Sequence, residues 1–312
     1  MTIVQTPVAP GATTAARLKK DRPRGRGRLL YVLPAAIFLA VLSFFPMFKL
    51  LQMSVSSVTS ANLSLSWDFV GLANFVNGIQ QGDLGRALVN TFVFVLIVSV
   101  LGLVGGLGAA IVLRHTGRIS GLLLGVMVFV WALPPVVNGS VWKFLLGDDG
   151  LINGIIKASG VSQTAVPFLY DEHFALLSVA LVNTWAIIPF NALVFRAAVL
   201  GIPAETFEAA QLDGARPWQE IRYVILPAVR PTSLVLAVLT VVYAFRSFDF
   251  IYVMTYGGPG ISTNTLPFLG YLQAFVRFDY GLGSATAVIT VAMVLVLAVV
   301  YARSVRNEEK DR

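Results

Sequence analysis

Residues 88–113 read LVNTFVFVLIVSVLGLVGGLGAAIVL, an unbroken run without Asp, Glu, Lys, Arg or His. An α-helix needs about 20 apolar residues to cross the hydrocarbon core of a bilayer. Inside lipid the backbone N–H and C=O groups have no water to bond, so the segment must satisfy them itself, as a helix does. Gly102 and Gly106 stand on one face of that helix, at a spacing that lets a second helix approach closely. The run therefore reads as a membrane-spanning helix with a close helical neighbour.

Five further apolar runs flank it, at 29–55, 119–137, 174–195, 233–254 and 282–300. The whole chain is 56% hydrophobic and only 12% charged, against about 25% charged residues in an average soluble domain. A soluble protein of this composition would expose large apolar patches. The expected fold is all-α and polytopic, with six spans. The first run follows a basic stretch but is longer than the roughly 7–15 residues of a signal-peptide core, so it reads as a retained span. The third ends near Pro134 and Pro135, which should kink or terminate it. The fourth carries Asn183, Trp185, Pro189 and Asn191, and the fifth carries Arg246 and Asp249. Both are too polar to face lipid and should face protein or water. Arg246 and Asp249, three apart on one helix, are expected to form an ion pair near its outer end.

Three segments follow: a disordered basic tail at 1–28, a membrane domain at 29–305 and a short tail at 306–312. Most of the 23 Lys and Arg residues fall in the tails and in 114–118 and 196–230. The opposite side carries Lys49, Arg86, Lys143, Lys157 and Arg277. Positive residues stay inside, so both termini are expected in the cytoplasm.

Other function classes find little support. With no cysteine, disulfides, thiol catalysis and iron–sulfur ligation are excluded. His115 and His173 are too far apart for a helical metal pair. The net charge of +7 lies beside apolar spans, without the aromatic interleaving of RNA-binding surfaces, so no nucleic acid is expected as a partner. The sequence has no Gly-x-x-x-x-Gly-Lys-Ser/Thr phosphate loop, and no nucleophile–base pair stands at membrane depth.

The longest inner loop, about 200–230, joins the fourth and fifth runs. Pro203 suits the first turn of a helix, and Glu205 and Glu208 then lie near its positive end. Phe207, Ala210 and Gln211 share a face. Gly214 can take a positive φ and stop the helix. Pro217 can open a second short helix, which Pro227 is expected to close. On spacing alone this is a compact helix–turn–helix, suited either to a partner's cleft or to the role of an ordinary amphipathic connector.

Glu208-Ala209-Ala210, three residues, Gly214, nine residues, Val224, one residue, then Leu226-Pro227 resembles the EAA loop of binding-protein-dependent ABC importer permeases. Val224 replaces the family's usual Ile. A second stretch, Phe248-Asp249-Phe250-Ile251-Tyr252-Val253-Met254-Thr255-Tyr256-Gly257-Gly258-Pro259 with Thr263 and Thr265, is similar to the carbohydrate-uptake branch. Within it the likeness is to the larger maltose permease or the first glycerol-phosphate permease. Asn183-Thr184-Trp185 with Pro189 supports the same branch. The segment 53–88 is too short for the large extracellular insert of the maltose subunit.

The resemblance implies a transport subunit without reaction chemistry of its own, in the inner or plasma membrane of a prokaryote. Its partners would be a second homologous permease, two ATPase subunits that hold ATP and Mg²⁺, an extracytoplasmic solute-binding protein, membrane lipid and a sugar. This chain would bind no cofactor or metal. Glu208, Ala209, Ala210, Asp213, Gly214, Leu226 and Pro227 would form the ATPase-coupling loop. Asn183, Ile187, Phe190, Thr240, Tyr243 and Ala244 would correspond to sugar-contact positions. Phe190 stands where the family member has Tyr, and Ala244 where it has Asn. Asn183 and Tyr243 could equally serve as interhelical hydrogen-bonding groups.

Overall fold

The computed structural model describes residues 25–115 and 117–310. The expected N-terminal tail lies outside the described residues up to position 24. The chain divides into two units, 1–48 and 49–312. The first is described here by its share of α1 (Gly25–Ser54), which begins ahead of the expected start at 29 and holds Pro34 and Pro46. Val32, Leu33, Phe38, Leu39, Val41, Leu42 and Met47 place apolar side chains on all sides of it, as a membrane span requires.

The second unit is built on α3 (Asp83–Val112) packed against α7 (Ala175–Leu200). The glycines of α3 make this approach possible. A Cβ on Gly102 would lie 3.0 Å from Cγ2 of Ile187, and one on Gly106 would lie 2.5 Å from Cβ of Asn191. Phe94, Val98, Val179, Ile187, Phe245, Phe250, Ile251 and Phe268 fill the main core. α2 (Ala73–Gln80) precedes α3, and a two-residue antiparallel ribbon pairs β1 (Ser56–Ser57) with β2 (Asp68–Phe69).

Among the described residues, five helical segments are long and apolar enough to cross a membrane: Tyr31–Ser54, Asp83–Val112, Ala175–Leu200, Pro217–Met254 and Tyr280–Val299. A bent pair raises the count to six. That pair falls on the third expected run, which breaks at Pro134 and Pro135 as expected and continues to Leu145, beyond the expected end at 137. α4 (Arg118–Ala132) stops after 15 residues, and α5 (Pro135–Leu145) leaves it at 102°. Each residue before a proline is pushed out of the α region. Leu133 (φ −64°, ψ 134°) and Pro134 (φ −56°, ψ 136°) are accordingly both extended, which turns the chain between the helices. α6 (Leu151–Ala158) follows.

The fifth span also differs from expectation. α8 (Ala204–Leu212) leads to α9 (Pro217–Glu220), which passes through a π turn (Ile221–Ile225) directly into α10 (Leu226–Phe245). Pro227 therefore does not close a helix. Here the Leu226 N–H donates to the Ile221 carbonyl, five residues back. This wider turn accommodates the proline that would strain a regular α-helix. At the far end α10 stops at Phe245, and α11 (Asp249–Met254) starts after a break. The helical spacing of Arg246 and Asp249 is lost. Arg246 is exposed, and among the described residues the expected ion pair between them is absent. α12 (Leu266–Tyr271) runs into a second π turn (Leu272–Val276), and α13 (Tyr280–Lys310) extends through most of the expected C-terminal tail.

Candidate functional site

The loop between α7 and α10 forms the helix–turn–helix that its prolines and glycine predict. Pro203 precedes α8 in extended conformation. Gly214, at φ +76°, ends the helix. The Ala215 N–H donates to the Ala210 carbonyl at 2.9 Å and the Gly214 N–H to the Gln211 carbonyl at 3.0 Å. This is the paired-bond closure that a left-handed residue permits at a helix end. Pro217 opens α9, and the Arg216 N–H donates to Gln219 Oε1 at 2.7 Å.

Glu208, Ala209, Asp213, Gly214, Leu226 and Pro227 are exposed, and Ala210 is half-buried. Leu212, at 89% exposure, Trp218 and Tyr223 are exposed apolar side chains of this loop and the turn that follows it. A cleft of about 390 Å³ lies along α8, lined by Arg114, His115, Phe207, Glu208 and Gln211 among others. The described residues hold no group of three or more His, Cys, Asp or Glu able to hold a metal.

Glu220 is the residue of this loop that sequence reasoning missed. It is 5% exposed. Its Oε2 accepts from both terminal nitrogens of Arg114, at 3.2 and 3.1 Å, and its Oε1 accepts from Gln211 Nε2 at 3.3 Å. The Arg114 guanidinium also lies 5.3 Å from the centroid of the Phe207 ring. Arg114 and Glu220 are 106 residues apart, so no local pattern joins them. The available signal was a carboxylate near an inner-loop arginine, which many loops contain.

The six expected pathway residues divide into two groups. Asn183, Ile187, Thr240 and Ala244 are buried in the packing of α3, α7 and α10. Asn183 Nδ2 donates to Ser247 Oγ at 2.6 Å, and Thr240 Oγ1 donates to Asn191 Oδ1 at 3.1 Å. Asn183 Oδ1 and Asn191 Nδ2 are buried without a partner among the described residues. Such an atom costs about 1–3 kcal/mol. Phe190 and Tyr243 are half-buried, and Phe190 stacks on Trp131 at 5.7 Å. At the other end of α7, Asp171 accepts the N–H of His173 at 2.8 Å and of Phe174 at 3.3 Å. These backbone donors, that of His173 foremost, hold its carboxyl below the usual carboxylate range.

Polytopic apolar helices with an amphipathic helix–turn–helix inserted before the fifth span define a membrane permease subunit. The chain matches the family model described as binding-protein-dependent transport system inner membrane component over residues 102–310, and it belongs to that family. It is 30% identical over 234 residues to the trehalose/maltose transport system permease protein MalF of Thermococcus litoralis, covering 75% of this chain and 78% of the relative. It is also 30% identical to the diacetylchitobiose uptake system permease protein DasB of Streptomyces coelicolor, covering 90% and 87%. To the sn-glycerol-3-phosphate transport system permease protein UgpA of Yersinia pestis it is 31% identical, covering 89% and 94%. Its fold is similar to a chain in the crystal structure of a bacterial ABC transporter involved in import of the acidic polysaccharide alginate. That similarity has a TM-score of 0.77 at 21% identity and covers 90% of this chain and 96% of the other.

Proposed function

We propose that this chain is half of the membrane pathway of an ATP-driven importer for a sugar or oligosaccharide. In this reading it pairs with a second homologous permease. Two ATPase subunits with ATP and Mg²⁺ dock below on the α8–α9 loop, and an extracytoplasmic binding protein delivers the solute. The chain itself catalyses no reaction and holds no cofactor. The observation that carries the substrate class is the similarity to relatives named for trehalose/maltose and diacetylchitobiose transport. Phe190 and Tyr243 keep half-open rings on α7 and α10, and α7 also carries the amides of Asn183 and Asn191; this is the mixture of apolar face and hydrogen-bonding group that suits a sugar.

Glycerol phosphate is the second reading. It is favoured by the UgpA similarity and by the exposed guanidinium of Arg246 at the α10–α11 break.

Uptake by the reconstituted transporter with its cognate binding protein tests the assignment. Tyr243→Ala and Asn183→Ala are expected to slow uptake at least threefold while the ATPase subunits still co-purify. Wild-type uptake by both variants across a range of solute concentrations would place the pathway elsewhere. If glycerol phosphate is the cargo, it and not a sugar will compete for uptake.

Both termini lie in the cytoplasm in this reading. The chain has no native cysteine, so single cysteines can report sidedness directly. Cysteines in place of Asp149 and Ile261, which are exposed, are expected to label from outside. Labelling of either from the cytoplasmic side alone refutes the orientation.

A further inference from the structure

The contact between Glu220 and Arg114 joins parts of the molecule that the covalent chain connects only softly. Glu220 is the last residue of α9, immediately before the π turn at Ile221–Ile225. Such turns interrupt the regular hydrogen-bond ladder and occur frequently at functional sites. A displacement of α8 and α9 could therefore be taken up in that turn before reaching the rest of α10.

The side chains provide a second route. Arg114 lies just beyond the end of α3 at Val112. It binds Glu220 of α9 through two hydrogen bonds and lies over the Phe207 ring of α8. Gln211, also on α8, reaches the other carboxylate oxygen. The neighbouring Leu113 carbonyl accepts from Arg196 Nε of α7 at 2.8 Å. Both loop helices thus press on one arginine, and that arginine adjoins the ends of both helices of the α3–α7 core.

An apolar cluster would hold this corner at least as firmly. Burying an ion pair has a desolvation cost that hydrophobic packing avoids, so the pair is poorly explained as glue. The Arg114 and Glu220 side chains are 24% and 7% exposed. What this arrangement adds is direction: both terminal guanidinium nitrogens converge on Oε2 while Gln211 of α8 takes Oε1, so the two carboxylate oxygens are held by different elements.

We infer that Arg114 and Glu220 form a latch that passes movement of the α8–α9 loop to α3 and α7, bypassing the π turn. They are positioning residues for transport and touch no solute. This inference rests on the loop being the element that docks the ATPase.

The test is the ratio of solute taken up to ATP hydrolysed by the complete transporter in proteoliposomes. Glu220→Gln preserves shape and removes the charge, and it is expected to lower the ratio at least fivefold. Arg114→Lys keeps the charge without the fork, is milder for folding, and is expected to lower it two- to threefold. The Arg114→Gln, Glu220→Gln double variant is expected to be no worse than its worse single parent, because one link is broken only once. A wild-type ratio in Arg114→Lys or in Glu220→Gln overturns the latch. So does a double variant whose losses multiply. Glu208→Lys, on the exposed face of α8, separates this from the underlying reading. If Glu208→Lys loses ATPase retention or uptake while the latch variants keep a normal ratio, the latch alone fails. If Glu208→Lys keeps both, the coupling role of the loop fails and the latch with it.

Discussion

Gly214 and Gly257 both turn the chain with a left-handed backbone, at φ +76° and +84°, yet they sit in opposite surroundings. A Cβ on Gly214 would meet nothing within 4 Å. A Cβ on Gly257 would collide with Oδ1 of Asn264 and lie 2.6 Å from Cε1 of Phe268. The Gly257 turn is closed by the chain itself. Thr255 and Thr263 share a hydrogen bond at 2.8 Å, and the Thr263 hydroxyl donates to the Gly258 carbonyl at 2.9 Å. Asn90 of α3 donates to the Ile261 and Asn264 carbonyls at 3.1 and 2.9 Å. Tyr256, a non-glycine residue held at φ +50°, packs its ring against Tyr252 and Phe268. At Gly214 the turn itself is closed by backbone bonds, the corner is spanned by the Gln211–Glu220 side-chain bond, and Leu212 projects beside it. The same conformational demand thus serves an internal brace in one place and an outward-facing tip in the other.

This difference predicts a graded series of effects. Gly257→Ala combines a steric collision with backbone strain, each worth about 1–3 kcal/mol. It is expected to lower the thermal unfolding midpoint in detergent more than any substitution at Gly214. Gly214→Val carries the strain without the collision, so the fold should survive. The damage should appear as lost uptake, with the ATPase poorly retained, because the second helix of the loop is re-aimed. Gly214→Asn should be nearly silent in both measurements, since Asn tolerates the left-handed region. If Gly257→Ala unfolds at the wild-type temperature, the brace is not tight. If Gly214→Val destabilises the fold as much as Gly257→Ala, the two turns do not differ in kind.

Much of the fold was legible because membrane spans follow from a local property, the length of an apolar run. The close approach at Gly102 and Gly106 was legible too, since it depends on one residue type at one spacing. The helix–turn–helix of 200–227 follows from Pro203, Gly214 and Pro217, each of which acts on its own backbone. Pro227 misled because a helix can widen by one hydrogen-bond step and run through a proline. Pro134 and Pro135 marked a break correctly, but the 102° turn that follows also depends on where α5 finds its partners, and α5 packs against α11.

The candidate site was less readable. The polarity of Asn183 marked its span as one facing protein or water and the family resemblance made it a pathway position, yet its partner Ser247 is 64 residues away. Glu220 carries no distinguishing neighbour in the sequence, and its burial depends on Arg114 arriving from the end of α3.

By itself, then, the sequence determined that the chain enters a membrane, about how many times it crosses, and where a short amphipathic corner interrupts the spans. These are consequences of solvent transfer and of backbone restrictions at proline and glycine, which act within a few residues. The tertiary structure alone decided which polar groups are buried together, whether a left-handed glycine is enclosed or open, and which arginine meets Glu220. Those outcomes depend on side chains brought together from distant parts of the chain, and their energies do not exist until the helices have packed.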